Sequence, residues 1–322
     1  AALQSRSLAA LSSANFATLG SDQIVGLTSA QIAALSTVLV GSLTSDQIDG
    51  LTTAQVATFS SSQLASISTA GIASMTTDQI GALSTRALAS LKSEQLNVLT
   101  SDQFAALGTG QLAVLSSAAI RGLNSDAIGT LTSAELAVLN SRAISALSTD
   151  NLALISSDQI AGLTTGQMAS LTSTQVGSLS TGQIDGLTAG QIATLSSVQI
   201  RALDTDAIAS LSTDQVGAIS SRAIASLSSS QLGALDSDQF AALGTGQLAA
   251  LTSSAIVGLD SSAIDTLTSV ELAALNSRAL AALTTDNFAL LDSAQLAGLT
   301  TGQVTALTTA QIQTLVSDQL DG

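Results

Sequence analysis

A break every eight residues constrains this chain more than any other feature. The stretch Leu27-Thr28-Ser29-Ala30-Gln31-Ile32-Ala33-Ala34-Leu35 recurs in near-copies at a spacing of eight from one end of the sequence to the other. By helix-start rules Leu27 is N′, Thr28 the N-cap, Gln31 N3 and Ile32 N4, so one short stretch carries both a capping box and a hydrophobic staple. Eight residues at 3.6 per turn overshoot two turns by about 80°. The apolar residues would therefore spiral around a continuous helix, and the chain must break at each cap.

The columns of the repeat support this reading one by one. The position after Leu holds Thr28, Ser36 and Thr44, then Gly108, Asn124, Asn140 and Asp204 further on, which is the N-cap preference set. Exceptions stand at Gln4, Lys92 and Val316. N3 is mostly Gln, with Glu135 and Glu271 as acidic substitutes, and either side chain can reach back to the N-cap N–H. The next column is Ile, Leu, Val, Met or Phe. A helix of roughly six residues is about 9 Å long and marginal alone, so each depends on burying its Ile and Leu against other octads.

The expected fold is all-α: an elongated solenoid of short capped helices, one per octad. A β-solenoid is the alternative, but strands need apolar residues at even spacing, whereas Leu27 to Ile32 is five and Ile32 to Leu35 is three. Ala and Gln also favour helix over strand. The number of octads per superhelical turn is open. At about 8 to 10 Å between packed helices, two per turn give a rod of roughly 180 Å and three one of roughly 120 Å.

A longer period overlies the octad. Ser101 to Ala113 recurs identically as Ser237 to Ala249, an offset of seventeen octads, since 237 − 101 = 17 × 8. Residues 1–322 thus read as a single continuous solenoid built from a duplicated block. Gly at the position before Leu, as in Gly26, Gly50, Gly122, Gly162, Gly186, Gly258 and Gly298, is expected to end its helix in a left-handed conformation.

Composition narrows the function classes. There is no His, Cys, Pro, Trp or Tyr, and the net charge is −15, which repels nucleic-acid backbones and anionic membranes. Mean hydropathy is +0.48, yet a polar break every octad precludes the run of about 20 apolar residues that a membrane span needs. Membrane insertion is not expected. No signal or transit segment is apparent and Ala1 falls in mid-repeat, so a mature product or a piece of something longer is expected.

Catalysis is not expected either. No His is present as base and no Cys as nucleophile, and Lys92 is the only lysine. The Asp residues fall mainly at N2, where the helix macrodipole stabilises them. A sharper reading takes Asp204 with Asp206 and Asp236 with Asp238 as local pairs for Ca²⁺, which needs 6 to 8 oxygens. Otherwise no cofactor is expected. Arg breaks the N2 rule at Arg6, Arg86, Arg142, Arg222 and Arg278. Asp102, Asp158 and Asp238 follow Arg86, Arg142 and Arg222 by sixteen residues, so ion pairs between octads two apart would compensate. The Ser/Thr column at N1 (Ser29, Thr37, Ser45, Thr53) lacks a local cause; bridging hydrogen bonds between successive coils are the preferred reading, and an array facing ice or a glycan the alternative.

The register L-[ST]-[ST]-x-Q-[ILV]-x-x, seen as LTSDQIDG, LTTAQVAT and LTTAQIQT, resembles the octapeptide tracts of large secreted bacterial surface proteins, often labelled adhesion or haem-utilisation proteins. The resemblance covers essentially the whole chain and implies an extracellular or cell-surface location. The functional expectation is a structural, non-catalytic fibre, filament subunit or adhesin stalk, with itself as principal partner. The alternative is a binding module for calcium, glycan or ice.

Overall fold

The computed structural model describes residues 7–320 apart from residue 9, so Gln4 and Arg6 lie outside the described residues. The fold is an all-α repeat solenoid. From Ser13 to Leu320 each octad contributes one short helix, and no strand occurs among the described residues, which removes the β-solenoid alternative.

Each helix begins as the caps require. Thr28 is extended at φ −73°, ψ 156°; its hydroxyl accepts from the Gln31 N–H at 3.2 Å, and the Gln31 Oε1 accepts from the Thr28 N–H at 2.7 Å. Two orphan donors of the first turn are thereby satisfied. The helix ends when the Leu N–H closes onto the N4 carbonyl, as in Leu35 to Ile32 at 3.1 Å. At Leu83 the backbone then extends, to φ −60°, ψ 135°, and the next cap follows.

The chain forms two compact units, one ending at Leu163 and one beginning at Thr164. In the first, Ser29–Ala33 packs against Thr53–Val56, which packs against Thr77–Ala82 and so on to Ser101–Ala105. In the second the same succession runs through Ala189–Ile192, Thr213–Ala218, Ser237–Ala241, Ser261–Ile264 and Thr285–Ala289. The step is three octads in each, since 53 − 29 and 213 − 189 both equal 3 × 8. Both units therefore coil with three octads per turn, and the seventeen-octad block is five turns plus two octads.

The core lies inside these coils. Ile32, Ile48, Ile192 and Ile200 at N4 are fully buried, the Leu column is nearly so, and Phe16, Phe104, Phe240 and Phe288 occupy the N4 position without gaining exposure. Burying a side chain of this size contributes about 1.5 to 3 kcal/mol. That burial sustains helices too short to persist alone.

The glycines before Leu do something other than expected. No described glycine has positive φ; Gly26 sits at φ −68°, ψ −6° and Gly186 at φ −68°, ψ −12°, both right-handed. At Gly122, Gly162, Gly258 and Gly298 the role is close approach. A Cβ on Gly122 would lie 2.0 Å from the Ser93 carbonyl oxygen, and one on Gly258 would lie 2.0 Å from that of Ser229. On Gly162 it would meet the Ser133 Cβ at 2.4 Å, and on Gly298 the Ser269 Cβ at 2.6 Å. In each case the neighbour is the N1 serine three octads earlier. The pre-Leu position of one turn presses on the N1 position of the turn before.

Candidate functional site

What joins one turn to the next is the N3 glutamine. Its Oε1 serves the cap of its own helix, which leaves its amide nitrogen free to donate elsewhere. Gln79 Nε2 donates to the carbonyls of Ile48 at 2.9 Å, Asp49 at 2.9 Å and Leu51 at 2.6 Å. In the second unit Gln215 Nε2 donates to Ile184 at 2.9 Å and Leu187 at 2.6 Å. The acceptors are the last carbonyls of the helix four octads back and the Leu that leads into the helix directly beneath. One side chain therefore caps its own helix at the N-terminus and another at the C-terminus. Gln79 is only 2 % exposed, so both amide ends need partners.

At some octads without an N3 glutamine, an asparagine supplies the amide instead. Asn151 and Asn287 at N3 are shorter, and their Nδ2 atoms still donate to Leu123 at 2.7 Å and Leu259 at 2.8 Å, the same 28-residue step. Where N3 is Ala127, Ala143 or Ala279, the N-cap is Asn124, Asn140 or Asn276. Those caps donate to Leu99 at 3.0 Å, Leu115 at 3.0 Å and Leu251 at 2.6 Å, 25 residues back. Since 127 − 28 = 99, 143 − 28 = 115 and 279 − 28 = 251, these are the carbonyls an N3 glutamine would have reached.

The hydroxyl columns add a second set of bridges. Ser61, Ser133 and Ser197 at N1 donate to the carbonyls of Arg86, Asp158 and Arg222, 25 residues on, at 2.8, 3.0 and 3.0 Å. From above, Ser90 and Ser226 at the pre-Leu position donate to the carbonyls of Ser61 at 2.8 Å and Ser197 at 3.1 Å. Part of the N1 column thus bridges coils, and its neighbour across the joint is either a hydroxyl or a glycine.

Other residues singled out from the sequence are placed as follows. Thr28, Ser36, Thr44 and Asp204 all stand at N-caps and accept from the N3 N–H. Asp204 and Asp236 accept from Ala207 and Gln239 at 2.8 Å each, so both carboxylates act as caps, while Asp206 and Asp238 occupy first turns. Among the described residues no three acidic side chains converge to hold a metal ion. Lys92 caps without a side-chain bond, yet Gln95 Oε1 still accepts from its N–H at 3.1 Å.

The sixteen-residue pairing of Arg86 with Asp102, Arg142 with Asp158 and Arg222 with Asp238 does not match the coil, because stacked helices lie three octads apart and not two. Helix length removes the need for it. Arg86, Arg142 and Arg222 sit on four-residue helices, where N2 belongs to the last turn as well as the first. The favourable C-terminal end of the macrodipole then offsets the unfavourable N-terminal end.

Two shallow grooves, of about 490 and 530 Å³, open beside Asn276 and Arg278 and beside Asn140 and Arg142. They are the same place in the two copies of the long block, and in each the N3 residue is alanine in place of glutamine.

A search of curated proteins returned no match. A family model described as the ALTTAQ repeat matches residues 1–37, 56–85, 80–109, 104–141, 133–165, 163–197, 189–221 and 216–245 in overlapping copies. The model's name contains the cap, spacer and glutamine that begin most helices here, as in the Ala306 to Gln311 stretch. With most of its length so matched, the chain belongs to the ALTTAQ repeat family.

Proposed function

We propose that this chain is a structural, non-catalytic repeat module that acts outside the cell or at a bacterial cell surface as a fibre, filament subunit or adhesin stalk. The observation that carries the reading is the glutamine bridge of Gln79 and Gln215, made again one turn on by Gln103 and Gln239. A unit that caps itself, caps its neighbour and adds two residues to a common core extends without new design, so copy number sets reach. No helix among the described residues is long and apolar enough to cross a membrane. Electron microscopy of the purified chain over a range of concentrations tests the assembly element of this reading. End-to-end or lateral assemblies are expected; single particles at every concentration would exclude the filament role.

One observation favours a binding role as the second reading. With three octads per turn, Asp214, Asp238 and Asp286 stand at N2 of helices separated by whole turns, with Ser262 between them. A calcium-dependent change in melting or assembly would support that role, and its absence at millimolar Ca²⁺ would exclude calcium.

A further inference from the structure

Glu135 and Glu271 occupy the N3 position that elsewhere holds the bridging amide. In each, a single oxygen does the capping work: Glu135 Oε2 accepts from the Thr132 N–H and hydroxyl, both at 2.8 Å, and Glu271 Oε2 accepts from those of Thr268 at the same distances. Neither makes a cross-turn hydrogen bond among the described residues, and neither is among the buried polar side chains, whereas Gln79, Gln303 and Gln311 are at most 2 % exposed. By the 28-residue register the carbonyls opposite are Leu107 (135 − 28) and Leu243 (271 − 28). An ionised carboxylate is acceptor-only and cannot donate to a carbonyl; a protonated one carries an O–H and can.

We propose that these two glutamates form an acid-closed latch between turns. At neutral pH each caps its own helix and leaves the joint to the turn before unbridged. On acidification a solvent proton binds Oε1, the carboxylic acid becomes an isostere of the glutamine amide, and its O–H donates to the Leu107 or Leu243 carbonyl while Oε2 keeps the cap. Few charges oppose this. The helices packed against Ser133–Val138 are Thr109–Leu112, with no charged residue, and Ser157–Ala161, with Asp158. Those packed against Ser269–Ala274 are Thr245–Leu248, uncharged, and Ser293–Ala297, whose N-cap is Asp292. Asp102 and Asp238 lie in the first turns of the helices whose ends supply the acceptors. The latch recurs at the same place in both copies of the long block.

Hydrogen exchange of the full chain tests it, comparing wild type with the Glu135→Gln/Glu271→Gln double variant and with Glu94→Gln, an exposed first-turn control. Exchange is read over residues 132–139 and 268–275 and corrected for intrinsic rates. At neutral pH the double variant should exchange about five-fold more slowly than wild type, as one added net hydrogen bond requires. In acid, with both carboxyl groups protonated, the ratio should fall to about one, and the control should stay near one under both conditions. A ratio that does not change with pH, no added protection at neutral pH, or loss of helical circular dichroism in the double variant would overturn the latch.

Discussion

The same substitution, glycine to alanine, should have opposite effects at Gly258 and Gly182. A Cβ at Gly258 would lie 2.0 Å from the Ser229 carbonyl oxygen and 2.5 Å from its carbon. Ordinary contact begins near 3.4 Å, so the two turns would have to separate by more than an ångström, against backbone on both sides. Overpacking of that kind costs about 1 to 3 kcal/mol. At Gly182, the N2 residue of Thr181–Asp185, a Cβ meets nothing within 4 Å. Alanine there should stabilise by about 0.4 to 1 kcal/mol through helix propensity and a less flexible unfolded chain. A stacked array can open segment by segment, so segment-resolved hydrogen exchange is a better assay than a single melting midpoint. Gly258→Ala should speed exchange in residues 229–235 and 253–259, and Gly182→Ala should slow it in residues 181–187. Equal signs at the two sites, or no change at Gly258, would refute the close-approach account of these glycines.

Two further outcomes are expected. Asn140→Ser keeps a capping oxygen but removes the donor to Leu115, so it should cost about 1 kcal/mol; adding Ala143→Gln, whose amide would meet the same carbonyl by the 28-residue register, should recover most of it in urea unfolding. Asp260 is exposed, and the Ser262 N–H and then the Ser262 hydroxyl lower its pKa below the ordinary carboxylate range. Because the folded value is the lower one, its contribution is present above the unfolded pKa and fades as pH falls through the folded one. Carboxyl-carbon NMR should therefore place its midpoint below about 3.9, and Ser262→Ala should raise that midpoint without abolishing the backbone bond.

The parts of this fold that were legible in the sequence are the local ones. Thr28, Gln31 and Ile32 specify a helix start whatever surrounds them, because a cap is completed within four residues. The number of octads per turn was not legible, since an octad looks the same in a coil of two or of three. That uncertainty misdirected the Arg142 to Asp158 pairing, and taking Gly122 for a conformational stop rather than a contact point had the same root: its neighbour, Ser93, belongs to the turn before. The amide bridge did leave a trace. A capping box alone accepts Glu as readily as Gln, so the excess of Gln implied a task for the nitrogen, and the replacement of N3 glutamine by Ala143 beside Asn140 showed the task passing to the cap.

The bridges of Gln79 and Gln215 all point backwards along the chain, from a later donor to an acceptor 28 residues before it. The glutamine of a later octad therefore meets carbonyls already synthesised, while the N1 hydroxyls of Ser61, Ser133 and Ser197 are joined from the turn that follows. The separation of 28 residues stays the same however many octads are added. At about 5 to 20 residues per second of synthesis, one turn of three octads emerges every few seconds and can seat before the next begins. Each turn thus joins the one before it across one fixed span, and a chain of this kind can lengthen by duplication without enlarging the folding problem.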